Sequence, residues 1–322
     1  MFSLSENALR VEAIDLWIDS MRARERCYVS HGHSDHARAH AAVVATPATA
    51  SVCRVRFSRR VEFEERGYNQ AWYEGEHRLT LFPAGHVLGS SQLLVEGEAG
   101  RFVYTGDFNL ARSFTAEPAE VKRCDVVLME CTFGRPHYVF PPRDEIAGEI
   151  ARFARLALEA DTVPVFFAYS LGKAQEAMAI LGSAGIPIAV HSAIAAMAEA
   201  YVRCGIAMPE YTRYQPASFH GNQALIWPPS AKALPLFFGR RRTRTAALTG
   251  WAIDGSAHHR HGVDRAFPLS DHADYPGLLA YVERAQPRKV LLNHGRRDFV
   301  HRLRGLGVEA EFLERHAQLA LF

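Results

Sequence analysis

The sequence predicts an α/β protein in which β-rich parts at the two ends of the chain enclose a module of alternating strands and helices. Three observations predict it. Before Pro141-Pro142 the apolar runs are short, of strand length, and stop at polar residues. After it, apolar runs alternate with stretches of helical spacing, and from about Ala266 the short strands with polar ends return. The expected boundaries are therefore 1–142, 143–265 and 266–322, the middle part forming a separate α/β module.

Taken in order, Leu9 to Asp19 and Cys27 to Ser30 read as the first short strands. Arg78 to Phe82 and Ser91 to Glu96 follow, then Arg101 to Tyr104 after the turn Gly97-Glu98-Ala99-Gly100. Asp125 to Glu130 is nearly all apolar, as in a buried strand. In the middle part, Ile146, Ile150, Phe153 and Leu156 recur at helical spacing and predict an amphipathic helix over 144–159. Pro164 to Tyr169 and Ile186 to Val190 are strands, and 172–181 and 193–203 are helices, the alternation of a parallel sheet. Lys289 to Asn293 is a strand of the closing part.

A chain of 322 residues with 48% hydrophobic and 22% charged residues can bury a sizeable core, which excludes a disordered chain. No apolar run approaches the ~20 residues that span a bilayer. The five cysteines are odd in number, scattered and without a CxxC pair, which argues against a disulfide framework or a thiolate zinc site. With no basic-then-apolar leader at the N-terminus, the expected location is cytoplasmic, with no membrane partner. A net charge of +2 announces no polyanion, so any nucleic acid must be held by local patches.

The chemistry is concentrated in His31-Gly32-His33-Ser34-Asp35-His36. Three imidazoles and a carboxylate follow directly on the apolar Cys27-Tyr28-Val29, so a strand aims several ligands at one point. His31 and His33 can face one metal, and Asp35 and His36 a second. Such ligands suit Zn, Mn or Fe. Further ligands emerge where later strands stop: His86, Asp107, Glu130, His272 and His294. Alone, each is an ordinary turn residue; together with the hexapeptide they form a set.

In this order the motifs resemble the metallo-β-lactamase fold, an αββα sandwich, and in particular its β-CASP nuclease branch, with an α/β β-CASP domain inserted between Glu130 and His272. That branch includes Artemis-type DNA nucleases, RNase J and the endonuclease of pre-mRNA 3′-end processing. Tyr169-Ser170-Leu171-Gly172-Lys173-Ala174-Gln175-Glu176 and Ser270-Asp271-His272-Ala273-Asp274 look most like the bacterial ligase-associated DNA exonucleases. The resemblance covers essentially the whole chain. It implies one metal on His31, His33 and His86, a second on Asp35, His36 and His294, and Asp107 bridging them. It implies that Asp19 supports the hexapeptide turn by hydrogen bonds, and that Glu130 and His272 act with Asp35 in catalysis near the scissile phosphate.

The implied activity is two-metal phosphodiester hydrolysis with Zn2+ or Mn2+. DNA is favoured over RNA as substrate, and the products would be a 5′-phosphate and a 3′-hydroxyl. The implied setting is DNA repair, in functional association with a DNA ligase or helicase. An RNA-processing ribonuclease is the alternative, because RNA-directed relatives usually carry His at the position of His294. A glyoxalase- or lactamase-like hydrolase ranks below both, since such enzymes usually lack the insertion. Substrate phosphate is expected at the start of the helix after Ser170, beside Lys173. Two basic runs, Arg240-Arg241-Arg242 with Arg244 and His258-His259-Arg260-His261 with Arg265, are candidate groove linings.

Overall fold

The computed structural model describes residues 2–5, 8–231, 237–238, 241–295 and 297–313. The chain divides into two units. The first comprises Met1–Arg112, Ala116–Tyr138 and His272–Phe322, the second Ser113–Thr115 and Val139–Asp271.

Residue alternation along the strands decides the layering of the first unit. One sheet runs in the order β1 (Phe2–Ser5), β2 (Ala8–Val11), β3 (Leu16–Ile18), β4 (Arg26–Tyr28), β5 (Ala42–Ala45), β6 (Glu62–Glu65). The other runs β20 (Glu309–Phe312), β19 (Lys289–Gly295), β11 (Val126–Cys131), β10 (Gly100–Tyr104), β9 (Ser91–Gly97), β8 (His77–Pro83), β7 (Trp72–Glu74). Leu9, Val11, Tyr28 and Val44 of the first sheet share a core with Leu81, Leu93, Leu128 and Leu291 of the second. The opposite parity of the second sheet, including Phe82, Val103, Val127 and Val290, packs on Leu278 and Tyr281 of α6 (Tyr275–Ala285) and Phe299 of α7 (Asp298–Gly305). On the outer side of the first sheet, Val43 and Ala45 meet Cys53 of α1 (Pro47–Arg56). Helix, sheet, sheet, helix is the αββα order that the resemblance implies.

Two segments differ from the sequence reading. Between β2 and β3 the backbone makes a 3-10 turn at Glu12–Ile14 and a left-handed residue at Asp15 (φ 48°), where a longer strand region is expected. The part after 266 contributes two helices as well as strands. Asp274 caps α6, its carboxylate accepting the Gly277 N–H at 2.9 Å, and Pro276 sits in the first turn.

In the second unit, β14 (Thr212–Arg213), β13 (Ile188–Val190), β15 (Ala224–Trp227), β12 (Val163–Phe167) and β17 (Arg241–Leu248) pair in parallel in that order, with β16 (Phe237–Phe238) antiparallel on β17. β18 (Arg265–Phe267) pairs with β17 as well. Helices α2 (Arg143–Glu159), α3 (Lys173–Ser183), α4 (Ser192–Arg203) and α5 (Ala257–His261) connect them. Phe153, Phe166, Met178, Ile194 and Ile226 lie in one core. Leu156 is a correction. It is 49% exposed, because α2 turns Ala154 and Ala157 inward beside Ile146, Ile150 and Phe153.

Glu176 of α3 is buried and holds Ser113–Thr115 to this unit. Its Oε1 accepts from Ser113 Oγ at 2.6 Å, Phe114 N at 2.8 Å and Thr115 Oγ1 at 2.7 Å, and its Oε2 from Arg143 at 3.0 Å. Glu176→Ala leaves the half-buried Arg143 guanidinium without its carboxylate and three donors without their acceptor, so we expect a loss of about 3 kcal/mol in this unit's stability, read by urea unfolding. An unchanged midpoint would remove this role. Among the described residues no helix is long and apolar enough to cross a membrane.

Candidate metal centre

β8, β10, β11 and β19 run in the same direction in their sheet; the hexapeptide, His86 and Asp107 follow the carboxyl ends of β4, β8 and β10, and His294 is the penultimate residue of β19. The hexapeptide closes into a turn after β4, with the His36 and Ala37 N–H groups both donating to His33 O. His86 stands in the loop between β8 and β9, where Ser90 Oγ accepts from His86 N at 3.0 Å and Val87 N at 3.2 Å. Gly106, beside Asp107, has φ +56°, and a Cβ there would fall 2.8 Å from Ser30 Oγ. Only glycine lets the Asp107 loop approach the hexapeptide this closely.

Three imidazoles converge on one carboxylate. Asp107 Oδ2 lies 3.6 Å from His31 Nε2, 3.4 Å from His36 Nε2 and 3.9 Å from His86 Nε2. Those separations are mostly too long for hydrogen bonds. They match donors sharing an ion, since ligands about 2.0–2.1 Å from a tetrahedral zinc stand about 3.4 Å apart. His86 Nε2 and His33 Nδ1 are 2.9 Å apart. Donor atoms within 4.8 Å of one another form the sets His31–His33–His86, His31–His36–Asp107 and Asp107–Glu130–His272. Asp35 and His294 stand beside these sets. The His294 ring is 5.3 Å from that of His36, and Asp35 is exposed in the hexapeptide turn.

The other ring nitrogens are held from behind. Asp19, at φ 43° just after β3, accepts from Ser30 N (2.7 Å), Ser30 Oγ (2.5 Å), His36 Nδ1 (2.8 Å) and Tyr104 Oη (2.8 Å). With its own proton on Asp19, Ser30 Oγ accepts from His31 Nδ1 at 3.0 Å. These partners assign the ring protons of His31 and His36 to Nδ1. Both Nε2 atoms are buried and bare of hydrogen bonds. Two bare imidazole nitrogens aimed at a carboxylate fit a divalent cation of the Zn or Mn kind.

Burial, and then the neighbouring His36, His86 and His33, hold His31 well below the ordinary imidazole value. Burial alone would also lower His36, but Asp107, with Asp19 and Asp35, pushes it up to about 10. The metal-free centre therefore takes up a proton where a cation belongs. Metal entry at neutral pH should release that proton, so affinity falls as pH falls, by about tenfold per unit for each proton released. Calorimetry of Zn2+ or Mn2+ binding in two buffers of different ionisation enthalpy checks this; buffer-independent heats would refute it. Partial desolvation works to raise the Asp35 carboxyl, yet His36, His33 and His294 keep it below the usual range. Asp19→Ala should weaken metal binding by about 10–100-fold through loss of these supports. Competition with a chelator measures it, and unchanged affinity would show the supports idle.

Glu130, at the end of β11, is buried and accepts from Phe108 N at 3.0 Å. His272 Nδ1 lies 2.8 and 2.9 Å from its two oxygens. Burial opposes its charge, but His272 outweighs that and holds the Glu130 carboxyl below the usual range. His294 occupies a register shift between β11 and β19, at φ 46°. The bulge depends on Gly295, where any Cβ would sit 2.1 Å from Cys131 O. Sequence reasoning missed Ser30 and Tyr104, whose hydroxyls complete the Asp19 network. The Ser in Tyr28-Val29-Ser30-His31 was the available signal.

The predicted phosphate ligands lie in the second unit. Ser170 is half-buried and its carbonyl accepts from Gln175. Lys173 is buried with its ammonium on the Asp271 carboxylate, so that charge is neutralised inside the fold. Of the basic runs, Arg240 and the Arg241 side chain lie outside the described residues, while Arg242 and Arg244 are exposed. Arg260 pairs with Asp254 and Arg265 with Glu149.

Residues 265–312 match the family model described as "Zn-dependent metallo-hydrolase RNA specificity domain". The chain is 39% identical over 318 residues to a "Probable DNA ligase" of Opitutus terrae, covering 98% of this chain and 31% of that protein. It is 32% identical over 171 residues to the "5' exonuclease Apollo" of Gallus gallus, covering 50% of this chain and 37% of that one. The chain thus spans about a third of the length of these relatives. A protein of unknown function from Enterococcus faecalis V583 shares the fold, with a TM-score of 0.62 at 13% identity, over 94% of this chain and 81% of that one. With the αββα layers and the candidate ligands at their strand ends, these similarities support a metallo-β-lactamase fold of the β-CASP kind with an inserted domain.

Proposed function

We propose that the protein is a metal-dependent phosphodiesterase that cleaves nucleic acid, with DNA as the leading substrate and exonucleolytic digestion as the leading mode. The observation that carries the reading is the convergence of bare His31 and His36 Nε2 atoms on Asp107. Two divalent ions, Zn2+ or Mn2+, would be held by His31, His33 and His86 and by Asp35, His36 and His294, with Asp107 between. When bound, such ions make water nucleophilic at neutral pH and neutralise phosphate charge. The chain's own residues do the rest. Asp19 and Ser30 fix the imidazole orientations. Glu130 keeps the His272 Nδ1–H engaged, leaving Nε2 to deliver a proton to the departing 3′ oxygen. The products are then a 5′-phosphate and a 3′-hydroxyl.

DNA is supported by the relatives named as a DNA ligase and as a 5′ exonuclease, and the former supports an association with ligase or helicase in repair. RNA is the second reading, supported by the family description over 265–312 and by His294. The five cysteines, all free thiols, fit a cytoplasmic setting. The test is to incubate metal-stripped protein with single-stranded DNA, duplex DNA and RNA, restoring Mn2+ or Zn2+ separately, with a D35A/H36A variant as control. We expect metal-dependent cleavage, fastest on DNA. Faster cleavage of RNA would promote the second reading, and no cleavage of any polymer would end the first.

A further inference from the structure

From His36 to Val61 the chain contains five arginines and no carboxylate. Four of those arginines, Arg54, Arg56, Arg59 and Arg60, lie in the last turn of α1 and the seven residues it opens. Among the described residues Arg54 pairs with Glu65, whereas Arg38, Arg56, Arg59 and Arg60 form no ion pair. Two of them instead touch the metal-bearing loop and the segment just after it. Arg56 Nη1 donates to Gly32 O at 2.8 Å and Arg59 donates to Ala39 O. A carbonyl leaves the guanidinium its charge, so both remain cations, Arg56 tethered to the hexapeptide and Arg59 to the segment that follows it.

Arg54, Arg59 and Arg60 border an open cleft of about 850 Å³ that also contains Phe57 and Phe63. The two rings lie parallel, with centroids 6.4 Å apart and planes 9° apart, and the Arg54 guanidinium carbon is 4.6 Å from the Phe63 ring. Glu62 is the acidic residue in the lining, so the cleft keeps an excess of positive charge. Arginine clusters interleaved with aromatic rings suit a flexible polyanion whose phosphates take the charge and whose bases take the rings. We propose that this cleft carries the sugar–phosphate backbone of the substrate strand as it leaves the metal centre. The inference rests on the nuclease reading and names its binding track on the catalytic unit.

The test uses the full chain loaded with Mn2+ and a fluorescent single strand made uncleavable by phosphorothioate linkages. Anisotropy gives the Kd across a series of NaCl concentrations. Arg59→Glu with Arg60→Glu should weaken binding by about tenfold or more, and make the slope of log Kd against log salt shallower by about 1.4, the share of two phosphate contacts. Arg59→Lys with Arg60→Lys should keep the slope. Arg284→Glu with Arg302→Glu, the same charge change placed on α6 and α7, should leave the slope near wild type. Equal effects from the two charge reversals, or an unchanged slope at Arg59 and Arg60 while wild-type protein cleaves DNA, would overturn the track alone. Failure of wild-type protein to bind or cleave any oligonucleotide would overturn the nuclease reading and the track together.

Discussion

Asp107→Ala is expected to reduce cleavage by about a thousandfold or more, since it removes several kcal/mol of metal-borne stabilisation. Its Oδ2 faces the Nε2 atoms of His31, His36 and His86 at 3.4–3.9 Å, making it the shared carboxylate of the centre. It is also, after burial, the foremost influence on His36, raising that imidazole. Without it the remaining imidazoles must hold dications with less anionic charge. Asp107→Asn keeps the side-chain shape and isolates the contribution of charge. Single-turnover cleavage together with metal content measured by mass spectrometry reads both effects. A variant that keeps its metals and near-wild-type turnover would take Asp107 out of the centre.

His272→Ala should lower turnover by about 10²–10⁴-fold while metal content stays at the wild-type level. The reason is the buried Glu130 behind it. An Nδ1–H donated to an ionised carboxylate fixes the tautomer and makes Nε2 more basic. The ring lies 4.6 Å from that of His86, close to the ligand set. A substrate with sulfur at the bridging 3′ position leaves without a proton, so it should restore most of the lost rate. Equal losses on the sulfur and oxygen substrates would rule out proton delivery and leave His272 a positioning role.

The candidate metal ligands are legible as a set because their chemistry is local. His31, His33 and His36 share one turn, and His86, Asp107 and His294 each follow a recognisable apolar strand. What stayed hidden depends on distant partners. Nothing near Asp19 announces that Tyr104, 85 residues away in sequence, donates to the same oxygen as His36. The spacing of Leu156 fits the apolar stripe of α2, but small alanines proved the better fit to the core, and so the leucine faces solvent. Helix α6 was obscured by its own cap, since Asp274 reads equally well as part of a metal motif. Lys173 looked like a phosphate ligand by its place at a helix start; only the distant Asp271 neutralises it.

Ser113–Thr115 carries a consequence for anyone dividing the molecule. The polypeptide enters the second unit at Ser113, leaves after Thr115, returns at Val139 and leaves again after Asp271. A fragment of residues 139–271 would therefore contain Glu176 without the Ser113, Phe114 and Thr115 donors, its carboxylate left with Arg143 alone of the partners described above. The second unit is not a cassette that can be excised at one pair of cut sites. Its completion during synthesis joins a tripeptide made early to a helix made some sixty residues later, and transplanting it into another scaffold means carrying both.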